Sequence, residues 1–453
     1  MPPPEPYAMQ AADLIIITRW TIPVEPEGRV LDDHALVVRD GRILDLLPAA
    51  EATQRYSARE LVRRPQHVLL PGLVNAHTHT PMTLFRGFAD DMPLETWLGQ
   101  HIWPTEARWV DAGFVRDGAE LAMLEMLRGG TTCFNDMYFF PDVIARAADA
   151  SGLRACIGMI LLESPTVWAQ NADEYLRKGL AVRDQFRGHP RISMIFAPHA
   201  PYTVADSSFR QLQLLANELD TPIHMHVHET AGEIAESLQR HQLRPLQRLD
   251  GLGLLTPLLA AVHMTQLRPE DISLLQERGV SVVHCPESNL KLASGFCPVA
   301  ELSAAGINIA LGTDGAGSNN DLDMFGEMRS CALLAKGVAG RADVVPAAAA
   351  LGMATLNGAQ ALGLGDRIGS LLVGKEADVI CVDLSAAATQ PVYDPISQLV
   401  YAASRDQVSD VWVAGRQLLA HHQPLLADQP TILARAEAWR TRLSAPTGSV
   451  AHD

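Results

Sequence analysis

Two histidines one residue apart, His77 and His79, close the apolar run Leu73-Val74-Asn75-Ala76-His77-Thr78-His79, which follows the turn signal Pro71-Gly72. In a strand, alternate side chains face the same way, so both imidazoles project to one side, within reach of a single divalent ion. An isolated His-x-His is as readily two ordinary histidines as a metal site. This pair gains weight from its company. Further strand-like runs end in His199, in His224, His226 and His228, in His263, in His284 and in Asp314. Sixteen histidines scattered at random would not gather at strand ends in this way. Imidazoles and a carboxylate are the donor set of a catalytic divalent ion, and such an ion brings a bound water's pKa toward neutrality. The chemistry indicated is metal-assisted hydrolysis.

The members differ in what they can do. His224, His226 and His228 share one strand face, but an ion that keeps an open catalytic position needs few protein ligands. His226 is read as the ligand, because Glu229 follows three residues later and bends into the site as the strand ends. His224 and His228 are read as supporting or core residues. Glu229 has the position of a general acid/base beside an activated water, and His263 that of a group orienting it. Asp314, at the end of Leu311-Gly312-Thr313, is a carboxylate expensive to bury unless it is paired or bound to metal. His284 is left open between site and core, and Ser318, four residues past Asp314, is a candidate substrate contact.

Such residues act together only if a fold gathers strand ends. From Pro71 onward, eight apolar runs (73–79, 131–137, 154–160, 192–199, 222–228, 259–265, 280–286 and 307–314) alternate with amphipathic stretches such as 117–127 and 209–219. This alternation predicts an α/β fold, a (β/α)8 TIM-like barrel over residues 71–368, whose strand ends meet at one mouth. A last helical stretch is expected over 345–362. Short runs at 13–18, 35–38 and 41–46 predict a small antiparallel β unit. Strands at 377–382 and 408–413 and a helix over 431–443 follow the barrel. Residues 1–70 and 369–453 are therefore expected to form one small discontinuous domain. The glycines of 363–369 precede a strand and lack dinucleotide-loop spacing.

Composition narrows the class. A chain of 453 residues with 47% apolar and 19% charged residues can bury a large core. A net charge of −16 argues against nucleic-acid or anionic-membrane partners. The six cysteines are scattered without a CxxC pair, which fits a reducing cytoplasm. The N-terminal stretch lacks a basic n-region, and no apolar run is long enough to span a membrane.

The segments PGLVNAHTH, HVHET, AAVHM, LGTDGAGSNND and VGKEADVICVD resemble the amidohydrolase superfamily, in its cytosine deaminase-like and chlorohydrolase-like branch. The resemblance covers nearly the whole chain. It implies a flanking β-sandwich built from both termini, and a mononuclear site in which His77, His79, His226 and Asp314 hold zinc or iron. Binuclear relatives carry a carboxylated lysine at the end of strand four, where this chain has Phe196-Ala197-Pro198-His199. The run HTHTPMTLFRGFADDMPLETWLGQHIWPTEA is similar to the 5′-methylthioadenosine/S-adenosylhomocysteine deaminase family. That resemblance implies that Glu106 binds the two ribose hydroxyls, that His199 contacts substrate, and that the protein is a homo-oligomer. Trp97, Trp103 and Trp109 are candidates to stack on a purine or pack a 5′ substituent, or else are core.

The implied reaction is hydrolytic deamination of adenine nucleosides (methylthioadenosine, S-adenosylhomocysteine, adenosine). Asp314 and Glu229 carry the protons and His263 orients the water. The alternatives are a deaminase or chlorohydrolase acting on a free base or heterocycle (guanine, pterin, triazine), and a barrel without metal serving as a scaffold.

Overall fold

The computed structural model of the chain describes residues 9–444, so the proline-rich opening run lies outside it. Eight parallel strands pair in chain order: Leu73–Thr78, Thr131–Asp136, Arg154–Leu161, Ile192–Pro198, Ile223–Val227, Leu259–His263, Ser281–His284 and Ile309–Leu311. All eight runs expected from the sequence are present, and their residues are almost all buried, as strands covered on both faces require. The intervening helices follow from local signals. Asp206–Leu219 buries Phe209, Leu212 and Ala216 at spacings of three and four. Ala112–Arg128 starts where the Asp111 carboxylate accepts from the Phe114 N–H at 2.8 Å.

The first and eighth strands meet at a seam. There the Asp314 N–H donates to the His77 carbonyl at 3.0 Å, and the Thr313 N–H donates to Asn75 Oδ1 at 3.0 Å. Gly312 makes the approach possible, since a Cβ at that position would lie 2.7 Å from the His77 backbone nitrogen.

The strands outside the barrel form one mixed sheet of nine. The antiparallel N-terminal unit expected from the sequence is present, since His34–Arg39 pairs antiparallel with both Gln10–Thr21 and Arg42–Pro48, and the sheet becomes mixed only through a further strand. Gln10–Thr21 runs antiparallel to His34–Arg39 but parallel to Tyr56–Pro71, a strand the sequence reading passed over. Its stretch Ala58-Arg59-Glu60-Leu61-Val62-Arg63-Arg64 is largely exposed and shows no continuous apolar run. Tyr56–Pro71 then pairs antiparallel with Val379–Asp383, which stitches the two ends of the chain into one sheet. The sheet curls until Gly41 meets Ala414 and Gly415, enclosing Leu14, Ile16, Val38, Val379, Cys381 and Trp412.

The helix expected over 345–362 is two helices, Ala347–Met353 and Leu356–Ala361. Between them the Ala354 carbonyl accepts from the Val74 N–H at 2.8 Å, a bond to the first barrel strand that an unbroken helix would not release.

Barrel and sheet are joined by a buried ion-pair cluster. Arg154, opening the third barrel strand, donates from Nε to Asp378 Oδ2 at 2.8 Å and from Nη2 to Glu376 Oε2 at 2.5 Å. Removing one partner of such a cluster costs about 3–5 kcal/mol, because the other is left charged and dry.

Substituting Gly312→Ala is expected to lower stability by about 1–3 kcal/mol through overpacking at the seam. It should also reduce metal content, since the backbone it displaces carries His77. Chemical denaturation together with metal analysis of the purified variant checks both.

Candidate active site

The strand ends bring the predicted ligands together. His77 Nε2 and His79 Nε2 lie 3.4 and 3.2 Å from Asp314 Oδ1. The donor atoms of His77, His79 and His226 all lie within 4.8 Å of one another, as do those of His77, His263 and Asp314. Donors on a tetrahedral ion with bonds near 2.1 Å sit about 3.4 Å apart, so the cluster has the right scale for one metal. His77 Nε2 is buried without a hydrogen-bond partner, a cost that a metal bond would remove. The residues fit a divalent ion.

Each imidazole is held by its other nitrogen. His79 Nδ1 bonds the Met137 carbonyl at 2.6 Å, His226 Nδ1 the His199 carbonyl at 2.7 Å, and His77 Nδ1 meets His224 Nε2 at 2.8 Å. Outer partners of this kind select the tautomer that turns Nε2 toward a metal. Burial holds His226 far below the ordinary imidazole range, in the neutral form a ligand needs. Asp314 is fixed on both oxygens, Oδ1 accepting from the Gly315 N–H at 2.7 Å and Oδ2 from the Ser288 hydroxyl at 2.7 Å. Its φ of 65° is a left-handed conformation rare for a non-glycine residue, kept by these bonds and the seam.

The acid/base candidates stand beside the cluster. Glu229 is buried, and burial raises its carboxyl above the usual range. Its Oε1 lies 3.8 Å from His263 Nε2, while His263 Nδ1 is held by Asn289 Oδ1 at 2.9 Å.

A cavity of about 630 Å³ opens onto this floor and is also lined by Glu106, His199 and Ser318. Glu106 lies on the helical segment after the first strand, where Leu94–Thr96 and Trp103–Trp109 are α-helical and Trp97–Ile102 forms a wider π turn. It is 9% exposed, and burial pushes its carboxyl up to about 7 against the pull of the Tyr138 hydroxyl, which donates to Oε1 at 2.6 Å. His199 is held by Thr203 Oγ1 at 3.0 Å, and burial lowers it to about 3, leaving a neutral ring. The Ser318 hydroxyl donates to the Gly315 carbonyl at 3.0 Å. Trp97 and Trp103 line the cavity, whereas Trp109 is not among its lining residues and stacks under Arg108.

Two of the strand-end histidines are core. His228 is satisfied by the Gln266 carbonyl at 3.2 Å and the Leu246 N–H at 3.2 Å. His284 is buried and lies outside the cavity wall.

Sequence reading missed four supports: Tyr138, Ser288, Asn289 and Glu233. Glu233 accepts from the Glu229 N–H at 2.7 Å and the His228 N–H at 3.1 Å, steadying the strand end that presents Glu229. Its signal was available, since Thr230 and Glu233 have capping-box spacing. Tyr138, Ser288 and Asn289 had none, as they reach their partners only through the barrel's closure.

Residues 68–418 match the Amidohydrolase family. The chain is 50% identical to the 5-methylthioadenosine/S-adenosylhomocysteine deaminase of Teredinibacter turnerae over 96% of this chain and 98% of that protein. It is 48% identical to the protein of the same name from Saccharophagus degradans, over 97% and 98%. A crystal structure described as an adenosine deaminase from Xanthomonas campestris with bound zinc superposes with a TM-score of 0.95 at 54% identity, covering 96% of this chain and 99% of that one.

Replacing Asp314 by Asn is expected to leave the circular-dichroism spectrum unchanged. Metal affinity should fall by more than the roughly 10–100-fold typical of losing an outer partner. Equilibrium dialysis against a chelator measures it.

Proposed function

The chain belongs to the amidohydrolase family and is a metal-dependent hydrolase, and from that premise we propose that it deaminates adenine nucleosides, namely methylthioadenosine, S-adenosylhomocysteine and adenosine, to the inosine analogues and ammonia. One observation carries this reading: a buried carboxylate, Glu106, shares a single cavity with the His/Asp cluster and Glu229. A carboxylate with a lone pair free on each oxygen can accept from both hydroxyls of a ribose, a feature that a free base or triazine has no use for.

His77, His79, His226 and Asp314 would hold one zinc ion, the metal bound in the Xanthomonas structure. The ion supplies Lewis acidity that brings a water's pKa toward neutrality. Asp314 takes a proton from the attacking water, and His263, steadied by Asn289, directs it at the purine carbon that bears the amine. Glu229, its carboxyl raised by burial, donates to the adjacent ring nitrogen and makes that carbon electrophilic. The carbon becomes tetrahedral. Asp314 passes its proton to the departing amine, ammonia leaves, and the new hydroxyl returns a proton to Glu229 as the carbonyl forms. His199 and Ser318 complete the substrate wall. The assignment of residues 71–368 to the catalytic unit, and of 1–70 with 369–453 to the flanking one, belongs to the same proposal. So do a cytoplasmic location, supported by six buried free cysteines, and a homo-oligomeric state, supported by the family resemblance alone.

An ammonia-release screen over adenine nucleosides and free bases, with and without chelator, tests the reading. Activity is expected on nucleosides only and should vanish on metal removal. Glu106→Ala should cut nucleoside kcat/KM by about 100-fold or more, the worth of two hydrogen bonds to a charged group. A wild-type enzyme that turns over free bases and ignores nucleosides would overturn the proposal.

The Glu106 carboxyl, with its pKa near 7, adds a pH dependence. The ionised form accepts both hydroxyls and the protonated form only one. Nucleoside KM should therefore rise as pH falls through 7, by up to about tenfold per unit. Glu106→Gln should flatten the profile. Steady-state kinetics from pH 5.5 to about 8.5 read it out.

A further inference from the structure

The cavity continues past Glu106 toward solvent, and the composition of that outer wall is informative. Trp103 precedes Glu106 by one helical turn, so the two share a helix face, with Leu94 and Leu98 earlier on the same segment. Across the opening, the loop after the third barrel strand contributes Leu162, Pro165 and Val167. Trp103 and Val167 are 48% and 44% exposed, large apolar groups left wet at the mouth. The polar groups on this loop that face the cavity, Ser164, Thr166 and Gln170, are neutral.

Among the described residues lining the cavity there is no lysine or arginine, and its carboxyl groups are Glu106, Glu229 and Asp314. Two cations close in sequence to this outer wall are engaged elsewhere. Lys178 is bound to the Trp168 carbonyl and pairs with Glu174, and Arg108 lies over the Trp109 ring.

We propose that this outer wall is a specificity subsite for an uncharged alkylthio group on the 5′ carbon, and that it selects methylthioadenosine over S-adenosylhomocysteine. The inference rests on the nucleoside reading above. With the base at the metal cluster and the ribose on Glu106, the 5′ substituent leaves between Trp103 and Val167. A thioether with a short alkyl chain covers both, and sulfur beside an indole ring makes a favourable contact. A homocysteine tail would bring a carboxylate and an ammonium into a wall of apolar and neutral polar groups that offers no cation, so the carboxylate's lost hydration goes unreplaced. Adenosine, with a hydroxyl at the same carbon, leaves the apolar wall uncovered.

The test is kcat/KM of the metal-loaded enzyme on four substrates: methylthioadenosine, 5′-butylthio-5′-deoxyadenosine, S-adenosylhomocysteine and adenosine. The butylthio compound matches the homocysteine tail in length without its charges, which separates size from electrostatics. Methylthio- and butylthioadenosine are expected to agree within about tenfold, with S-adenosylhomocysteine at least about tenfold below both, the discrimination expected for one unpaired polar group. S-adenosylhomocysteine equal to or better than methylthioadenosine would overturn the subsite while leaving the nucleoside reading intact. So would butylthioadenosine falling as low as S-adenosylhomocysteine, which would make the limit one of length. Turnover of free bases with all four nucleosides inert would overturn both.

Discussion

The backbone hydrogen bond from Asp314 to the His77 carbonyl is the join on which the rest of the molecule depends. It closes the eighth strand onto the first, and in doing so sets the Asp314 carboxylate opposite the two imidazoles of the first strand. A sheet left open at this edge would carry the same residues and no site. Gly312 and the left-handed Asp314 backbone are the local costs of that closure, and they are borne where the chemistry is.

Around this join, burial does two opposed things. It makes charged groups expensive, which holds the His226 ring well below the ordinary imidazole range and lifts the Glu229 carboxyl above its own. It also requires every retained polar atom to find a partner. The carbonyls of Met137 and His199, the hydroxyl of Ser288 and the amide of Asn289 supply those partners. The aim of each side chain in the cluster is thus set by atoms outside it.

The flanking sheet acts at the other end of the strands. Arg154, clamped by Asp378 and Glu376, anchors the start of the third strand to a strand formed late in the chain. The Gly72 N–H, bonded to the Asp378 carbonyl, fixes where the first barrel strand begins. Both contacts lie on the closed side of the barrel, which leaves the mouth to the helix carrying Trp103 and Glu106 and to the loop carrying Val167.

Much of this was legible in the chain. Continuous apolar runs ending in His or Asp are a local pattern, and strands buried on both faces cannot hide it, so the eight strands, the ligand candidates and Glu229 could be read directly. Tyr56–Pro71 could not, because over residues 57–67 it is largely exposed, carries three arginines and a glutamate, and has no such run. The break at Ala354 was equally hidden, since its cause is a bond to Val74 far away in sequence. What holds the His226 ring, which carboxylate is steadied by Tyr138, and that no lysine or arginine is among the described residues lining the cavity were decided by closure of the barrel alone. Those are relations between residues tens to hundreds of positions apart, and a pattern of neighbours along a chain carries no distances across it.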